Sequence, residues 1–219
     1  MPFFKNLLRF HSLAGSILLL YLLGGCAQMA SYNPQLVPSP GFTKSQKLDG
    51  KVLIFTEKID DDTPFVGPPT SFTGGGTKLS IQLGVFTREI AGVVFGDLFS
   101  SGVTKSNVLT NDGFRLVIHP KVISYSYEYD QLKNLGFAVT PIANVSLDVR
   151  LLDNSGKVIR SRTYQSGAVE GPTYIVSGSP GEEIGKATHK AIYDLMLRVA
   201  SDVRSDFASQ KVNEKGKDL

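Results

Sequence analysis

A regular alternation near the middle of the chain constrains the fold most. Within residues 142–152, apolar and polar residues alternate without a break from Ala143 to Leu151. Because successive side chains of a strand point to opposite faces, this pattern predicts a strand with one buried face. The apolar positions expected on that face are Ala143, Val145, Leu147, Val149 and Leu151. A turn sequence follows at residues 153–156, and residues 157–165 are predicted to pair back as a hairpin.

The C-terminal part of the chain predicts a long amphipathic helix. Ser179 is a suitable N-cap, and Pro180 favours the first helical position. From there one apolar stripe continues at helical spacing for about seven turns. Its members are Ile184, Ala187, Ala191, Ile192, Leu195, Val199, Val203 and Phe207. A shorter stripe over residues 86–98 predicts a second helix, in which Gly92 and Gly96 allow a close approach to a sheet.

Three further segments are predicted strands. Residues 51–57, 78–83 and 114–129 are rich in β-branched and aromatic residues, and Pro120 inside the last of them indicates an edge position or a bulge. Residues 58–76 carry prolines and three consecutive glycines, so they predict a long loop. This order of elements favours an α+β fold. We expect a two-layer sandwich in which a mainly antiparallel sheet is covered by two helices, the C-terminal one being long.

The N-terminus has the features of a targeting segment. Lys5 and Arg9 precede an apolar run at residues 13–23. A helix needs roughly 20 apolar residues to cross the hydrocarbon of a bilayer, so this run is short for a membrane span. It is typical of the hydrophobic region of a signal peptide.

The end of this run resembles a lipobox, the processing motif of bacterial lipoproteins. The motif consists of Leu23, Gly24, Gly25 and Cys26, the only cysteine of the chain. The resemblance implies cleavage before Cys26, a diacylglycerol on its sulfur and an acyl chain on its amino group. It also implies a periplasmic protein, and Ala-Gln after the cysteine, in place of Asp, favours the outer membrane. The alternatives are an ordinary secretory signal and an uncleaved anchor with a chance cysteine.

These features divide the chain into four parts. Residues 1–25 are the predicted signal peptide, and residues 26–50 are the lipidated cysteine and a flexible tether, with three prolines and several serines. Residues 51–208 are the predicted periplasmic α+β domain, and residues 209–219 a charged, disordered tail. Removal of the signal peptide takes two of the 23 basic side chains and none of the 20 acidic ones. The resulting near-neutral balance gives no reason to expect nucleic acid as a partner.

The residue types that catalysis or metal binding requires are sparse. His119 and His189 are the histidines that follow the signal peptide, and their spacing matches no zinc motif. The acidic run at residues 60–62 lacks the alternating ligands of a calcium loop and is interpreted as a solvated turn. The flanking pattern of a nucleophile elbow is missing around the serines. We therefore expect no catalytic residue, no metal site and no cofactor other than the lipid on Cys26.

Three tyrosines at alternate positions are the candidate binding residues. Tyr125, Tyr127 and Tyr129 fall on one face of a predicted strand. Aromatic side chains are favoured at interfaces, so these rings could form a partner-binding or glycan-stacking surface. The alternative is an ordinary sheet surface or a core that a helix covers. An edge strand here could also accept a strand from another protein.

The layout of the mature chain resembles the YajG-like group of bacterial lipoproteins. The matching stretches are Val122-Ile123-Ser124-Tyr125, residues 144–151, Ser155-Gly156-Lys157, Arg162-Thr163-Tyr164 and residues 187–204. The resemblance implies an α+β domain on the periplasmic face of the outer membrane, with no known catalytic residues to carry over. Residues 58–76 depart from the pattern of that group.

The favoured function is that of a non-enzymatic accessory or scaffolding lipoprotein. It would bind a protein partner within a cell-envelope assembly or transport system. The alternative is a periplasmic ligand-binding lipoprotein for lipid, peptidoglycan or polysaccharide, using the three tyrosines. An enzyme with an unrecognised site is the third hypothesis.

Overall fold

Two long strands form the centre of the computed structural model, which describes residues 27–110, 113–175 and 179–215. They are β6 (Leu116–Asp130) and β7 (Ala138–Leu152), and they pair antiparallel along their length. The other side of β7 pairs antiparallel with three shorter strands, β8 (Val158–Gln165), β9 (Val169–Glu170) and β10 (Tyr174–Ile175). The hairpin of β7 and β8 confirms the prediction from the alternating segment.

The outer side of β6, away from β7, is paired over a short stretch only. β2 (Val52–Phe55) runs parallel to β6 and pairs with residues 116–118 at its start. β5 (Val103–Ser106) pairs parallel with β2 and ends the sheet. From residue 119 onward, no strand of the described chain pairs with the outer side of β6.

Two helices cover one face of this sheet, as predicted. α2 (Leu83–Leu98) packs against β2, β5 and β6, and α3 (Pro180–Lys215) packs against β7 and α2. The predicted apolar stripe of α3 and the predicted apolar face of β7 are buried in one core. A Cβ atom at Gly92 would lie 2.8 Å from Lys105 Cδ, so the glycine permits the close approach of α2 to β5.

A second, smaller sheet adds to the predicted layers. β4 (Lys78–Ile81) lies at its centre, with β1 (Ala27–Ala30) parallel on one side and β3 (Phe65–Gly67) antiparallel on the other. A short helix, α1 (Lys58–Asp62), precedes β3. Residues 58–76, predicted as a long loop, therefore contain a helix and a strand. Elements of five and three residues are too short to produce a detectable hydrophobic period.

Residues 27–50 differ from the predicted flexible tether, because they pack against the rest of the fold. β1 belongs to the small sheet and contacts α3. Ala30 and Val37 are buried in the main core. Leu48 forms a β-bridge with Phe99 directly after α2.

Asp97 of α2 fixes the second half of this segment. Its carboxylate accepts hydrogen bonds from the Ser39 hydroxyl, the N–H groups of Gly41 and Phe42, and the Lys47 ammonium. Burial opposes ionisation, but these donors outweigh it and lower the pKa of Asp97. Residues 39–47 of the predicted tether are thus held against α2.

The C-terminal helix is longer than predicted. Its backbone is helical through Lys215, so residues 209–215, assigned to a disordered tail, continue α3. Adding residues to an existing helix requires no new nucleation, which explains how a polar segment extends it. Residues 1–26, with the predicted signal peptide, and residues 216–219 lie outside the described residues. In the part that the structure describes, no helix is both long and apolar enough to cross a membrane.

Candidate functional site

The predicted binding face of Tyr125, Tyr127 and Tyr129 lies inside the fold. Tyr127 and Tyr129 are buried and Tyr125 is half-buried. Each phenol oxygen has a hydrogen-bond partner: Gly67 O for Tyr127 at 2.9 Å, Pro180 O for Tyr129 at 3.3 Å and Thr188 Oγ1 for Tyr125 at 3.0 Å. Burial raises the pKa of all three phenols. The small sheet and α3 cover these rings, which agrees with the alternative of a covered core and leaves Tyr127 and Tyr129 without an exposed face for a partner.

The residues of the predicted lipid anchor cannot be located in the fold. Leu23, Gly24, Gly25 and Cys26 all lie outside the described residues. Lipidation of Cys26 stays a prediction. The first described residue, Ala27, follows that cysteine directly and begins β1.

A cleft of about 360 Å³ opens beside the outer side of β6. We call it the β6 cleft. Its walls are α1, the first turn of α2, Phe65 of β3 and six consecutive residues of β6, 120–125. Its apolar lining includes Ile59, Leu83 and Ile123. Ile59 and Ile123 are 63% and 54% exposed, so two large apolar side chains stand at the open rim.

The backbone of β6 is available along this cleft. Further along β6, residues 70–71 occupy its outer side. Thr70 N–H donates to Tyr127 O, and Tyr129 N–H donates to Ser71 Oγ. Because strand backbones alternate sides, the N–H and C=O of Tyr125 also face outward. The register of β6 against β7 shifts at Ile123, which marks a bulge. Pro120 was interpreted as a sign of an edge or a bulge. It lies three residues before this bulge, on the stretch of β6 that pairs with β7 but has no strand on its outer side.

One buried hydroxyl in the cleft lacks a partner. Thr87 is 1% exposed and lines the cleft, and its Oγ1 makes no hydrogen bond within the described chain. The Oγ1 atom itself is buried, and a buried hydroxyl costs about 1–3 kcal/mol when it stays unpaired. At the cleft wall, Lys121 Nζ lies 3.2 Å from Glu57 Oε2 and 3.5 Å from Asp60 Oδ2. The hydrogen bond to Glu57 raises the pKa of Lys121.

A buried polar network holds α1 against the rest of the cleft. Arg88 of α2 forms an ion pair with Asp61 of α1. Asn107 donates to the same carboxylate at 2.6 Å and to the backbone carbonyl of Thr56 at 3.0 Å. The interpretation of residues 60–62 as a solvated turn is therefore wrong for Asp61, which is buried and bonded. Of its partners, Thr56 is five residues away, but Arg88 and Asn107 are 27 and 46 residues away, and a local pattern does not identify those two.

The two histidines have different environments. His189 is buried, and both ring nitrogens have backbone partners: Asn33 N–H at 2.9 Å from Nε2 and Gly185 O at 2.7 Å from Nδ1. His119 packs on Phe55, and its Nε2 lies 3.9 Å from Glu57 Oε1. Burial lowers the pKa of both imidazoles. In residues 27–110, 113–175 and 179–215, no three His, Cys, Asp or Glu side chains are grouped as metal ligands would be.

Comparisons with known proteins identify the fold. No family model matches the chain, and the search of curated proteins finds no match. A crystal structure of a Xanthomonas campestris protein from the family DUF330 is similar with a TM-score of 0.52 and 14% identity, over 85% of this chain and 99% of that one. This likeness shows a shared fold.

Two further structures match with lower scores. A candidate lipoprotein from Caulobacter crescentus has a TM-score of 0.38 and 16% identity, over 58% of this chain and 85% of that one. A minor lipoprotein from Acinetobacter baumannii has a TM-score of 0.34 and 14% identity, over 72% of this chain and 94% of that one. The resemblance to the YajG-like group stays a prediction.

Proposed function

We propose that this chain is a lipid-anchored, non-enzymatic accessory subunit whose β6 cleft binds an extended segment of a cell-envelope protein. The anchor is the diacylglycerol and N-acyl lipid on Cys26. The location is the periplasmic face of the outer membrane. The process is the assembly or transport system to which the partner belongs.

The unpaired outer side of β6 is the observation that carries this proposal. A peptide can add to an exposed sheet edge through main-chain hydrogen bonds, while side-chain pockets supply specificity. Here the edge is open from Pro120 to Tyr125 and is bordered by an apolar cleft. The caps at both ends, β2 and residues 70–71, limit the added segment to about six residues.

The chemistry of the cleft fits a mostly apolar segment. Ile59 and Ile123 at the rim and Phe65 inside offer apolar contacts. The ammonium of Lys121 is already shared by two carboxylates, so an acidic segment gains little there.

We propose that the chain is not an enzyme because the side chains that could act as acids or bases are engaged within the fold. Both nitrogens of His189 are bonded to backbone groups inside the fold. The phenols of Tyr125 and Tyr129 are hydrogen-bonded, and burial makes them harder to ionise. A general base needs a free nitrogen or oxygen within reach of a substrate. These three groups do not supply one, and His119 Nε2, which has no hydrogen-bond partner within the described chain, is buried beside Phe55.

The test of partner binding compares two isoleucines with similar exposure. Ile123 lies in the cleft, whereas Ile159 lies on β8, on the far side of β7; they are 54% and 47% exposed. Full-length Ile123→Arg and Ile159→Arg are expressed at native level and purified from solubilised envelopes. We expect Ile123→Arg to lose the partner that the unsubstituted protein and Ile159→Arg retain. Equal recovery with both variants would overturn the cleft as the binding site.

The anchor is tested separately by labelling cells with a palmitate analogue. We expect the unsubstituted chain to be labelled and Cys26→Ala to be unlabelled and unprocessed. An unlabelled natural chain would overturn the proposed anchor and leave the cleft to be judged by its own experiment.

A further inference from the structure

Five large apolar side chains are exposed at one end of the molecule. Leu132, Leu135 and Phe137 lie in the connection between β6 and β7 and are 89%, 85% and 80% exposed. Phe72, in the segment before β4, is fully exposed, and Ile175 of β10 is 71% exposed. We call these five residues the apolar tip. Exposed apolar patches of this kind mark sites of association with proteins or membranes.

Several bonds hold the three segments of the apolar tip together. Ser71 and Thr73, on either side of Phe72, bond to Tyr129 N–H and to Gln131 Oε1. Ile175 pairs with Ala138, the neighbour of Phe137 in the chain. The three segments that carry the five side chains therefore lie next to one another at this end of the large sheet.

In the connection between β6 and β7, a leucine adopts a backbone conformation that glycine usually adopts. Leu135 has a φ of 51°, the left-handed conformation, and no other non-glycine residue of the described chain has a positive φ. Its N–H donates to Leu132 O, and Gly136 N–H donates to Gln131 O. A leucine in this conformation is strained, and the exposed side chain gains no packing within the fold that would offset the strain.

The chain enters the fold at this same end. Ala27, the residue after Cys26, pairs with Lys78 at the start of β4. The turn before Lys78 contains Gly74, where a Cβ would lie 2.9 Å from the Tyr129 ring near the end of β6. On α3, Gly181 lies close to Met29 O, and Pro180 O accepts from the Tyr129 hydroxyl. The lipid-bearing residue is therefore one peptide bond from the end that carries the apolar tip.

We propose that the apolar tip inserts into the lipid surface of the membrane that holds the anchor. This inference rests on the lipid anchor of the proposed function. With Cys26 at the bilayer and only one peptide bond before β1, the structured body cannot stand far from the lipid. The nearby Lys133 is paired with Glu170 at 2.7 Å, so apolar insertion and not attraction to anionic lipid is the main contribution.

The absence of tryptophan from the chain allows a direct test. Full-length Phe137→Trp has a single tryptophan, which lies in the apolar tip. Val158→Trp is the control, because Val158 pairs with Leu152, opposite Val117 at the start of β6. The two positions are separated by most of the length of β6, roughly 40 Å at 3.3 Å per residue. Each lipidated protein is reconstituted into phosphatidylethanolamine and phosphatidylglycerol vesicles, with or without brominated phosphatidylcholine.

We expect brominated lipid to quench the emission of Phe137→Trp and to leave Val158→Trp unchanged. Leu132→Trp provides a second position if Phe137→Trp does not fold, and we expect it to be quenched as well. Equal quenching at tip and control, or no quenching at either, would overturn the inference. The intact mass of each protein is measured first. A missing lipid there contradicts the anchor of the proposed function, whereas a lipidated protein with an unquenched tip contradicts this inference alone.

Discussion

His189 Nε2 accepts a hydrogen bond of 2.9 Å from the backbone N–H of Asn33, and this bond joins residues 156 positions apart. The acceptor role of Nε2 requires the neutral ring with its proton on Nδ1, which donates to Gly185 O. A second proton on the ring would face the Asn33 N–H directly. The N-terminal segment is therefore docked onto α3 through a histidine that must stay uncharged.

The docking of this segment should depend on pH. Burial lowers the pKa of His189, so the unfolded chain takes up a proton more readily than the folded one. The stability contribution is complete above the ordinary histidine value of 6.5 and is lost as the pH falls from there through the lower pKa of the folded state. His119 has the same direction of shift. Urea unfolding at pH 7.5 and 5.5 measures how much stability is lost on acidification. The His119→Gln protein should lose more stability between these pH values than the double variant His119→Gln/His189→Gln. An equal loss would contradict the role of His189.

The buried ion pair behind the β6 cleft should be important for stability. Asp61→Ala removes the carboxylate to which Arg88, Asn107 and Thr56 bond, and we expect a loss of about 3 kcal/mol in the free energy of unfolding. Asp62→Ala is the matched control, because Asp62 is exposed on the same short helix; its effect should stay within about 0.5 kcal/mol. Both values come from chemical denaturation at pH 7. Similar values for the two variants would show that α1 is not held by this pair.

Two helical glycines should respond in opposite ways to alanine. A Cβ at Gly84 would overlap the carbonyl oxygen of Asp60, so Gly84→Ala must push α1 away from α2 and should cost about 1–3 kcal/mol. A Cβ at Gly185 would lie 3.4 Å from Ala30 Cβ, an ordinary contact. Gly185→Ala should therefore be stabilising, by up to about 1 kcal/mol from helix propensity. Thermal unfolding measures both, and a stabilised Gly84→Ala would refute the tight packing of α1.

Tyr125, Tyr127 and Tyr129, the tyrosine row of β6, should contribute to stability through packing and not to partner binding. Tyr127→Phe removes only the hydrogen bond to Gly67 O and should cost about 1 kcal/mol. Tyr127→Ala also empties the core and should cost about 3–5 kcal/mol. Partner recovery in envelope purifications of Tyr127→Phe should equal that of the unsubstituted protein. A folded Tyr127→Phe that loses the partner would contradict the structural role.

The long elements were predictable from periodicity, because burial on one face imposes it. The alternate positions of β7 and the stripe of α3 are buried as their patterns predict. Alternation along the strand also placed Tyr125, Tyr127 and Tyr129 on one face, but it did not show whether that face is exposed or covered. Three aromatic rings at alternate positions suit an exposed interface or a covered core equally well, and the covering elements, β3 and α3, come from distant parts of the chain.

The residues of the candidate site were less predictable, since long-range polar contacts determine them. Thr87 lies on a helix pattern that assigns it no role, and two of the partners of Asp61, Arg88 and Asn107, are remote in sequence. The docking of residues 27–50 depends on Asp97 and His189, which a composition rich in proline and serine does not reveal. Pro120 was the one local signal near the cleft, because proline is compatible with an unpaired strand edge.

The most direct test of the account is site-specific photocrosslinking in the native host. A photoreactive residue replaces Ser124, on the exposed part of the β6 cleft, or Ser161, exposed on β8 beyond β7. The account predicts a discrete crosslinked product with an envelope protein from position 124 and none from position 161. Crosslinks of equal yield from both positions, or none from position 124, would contradict the binding of a partner along β6.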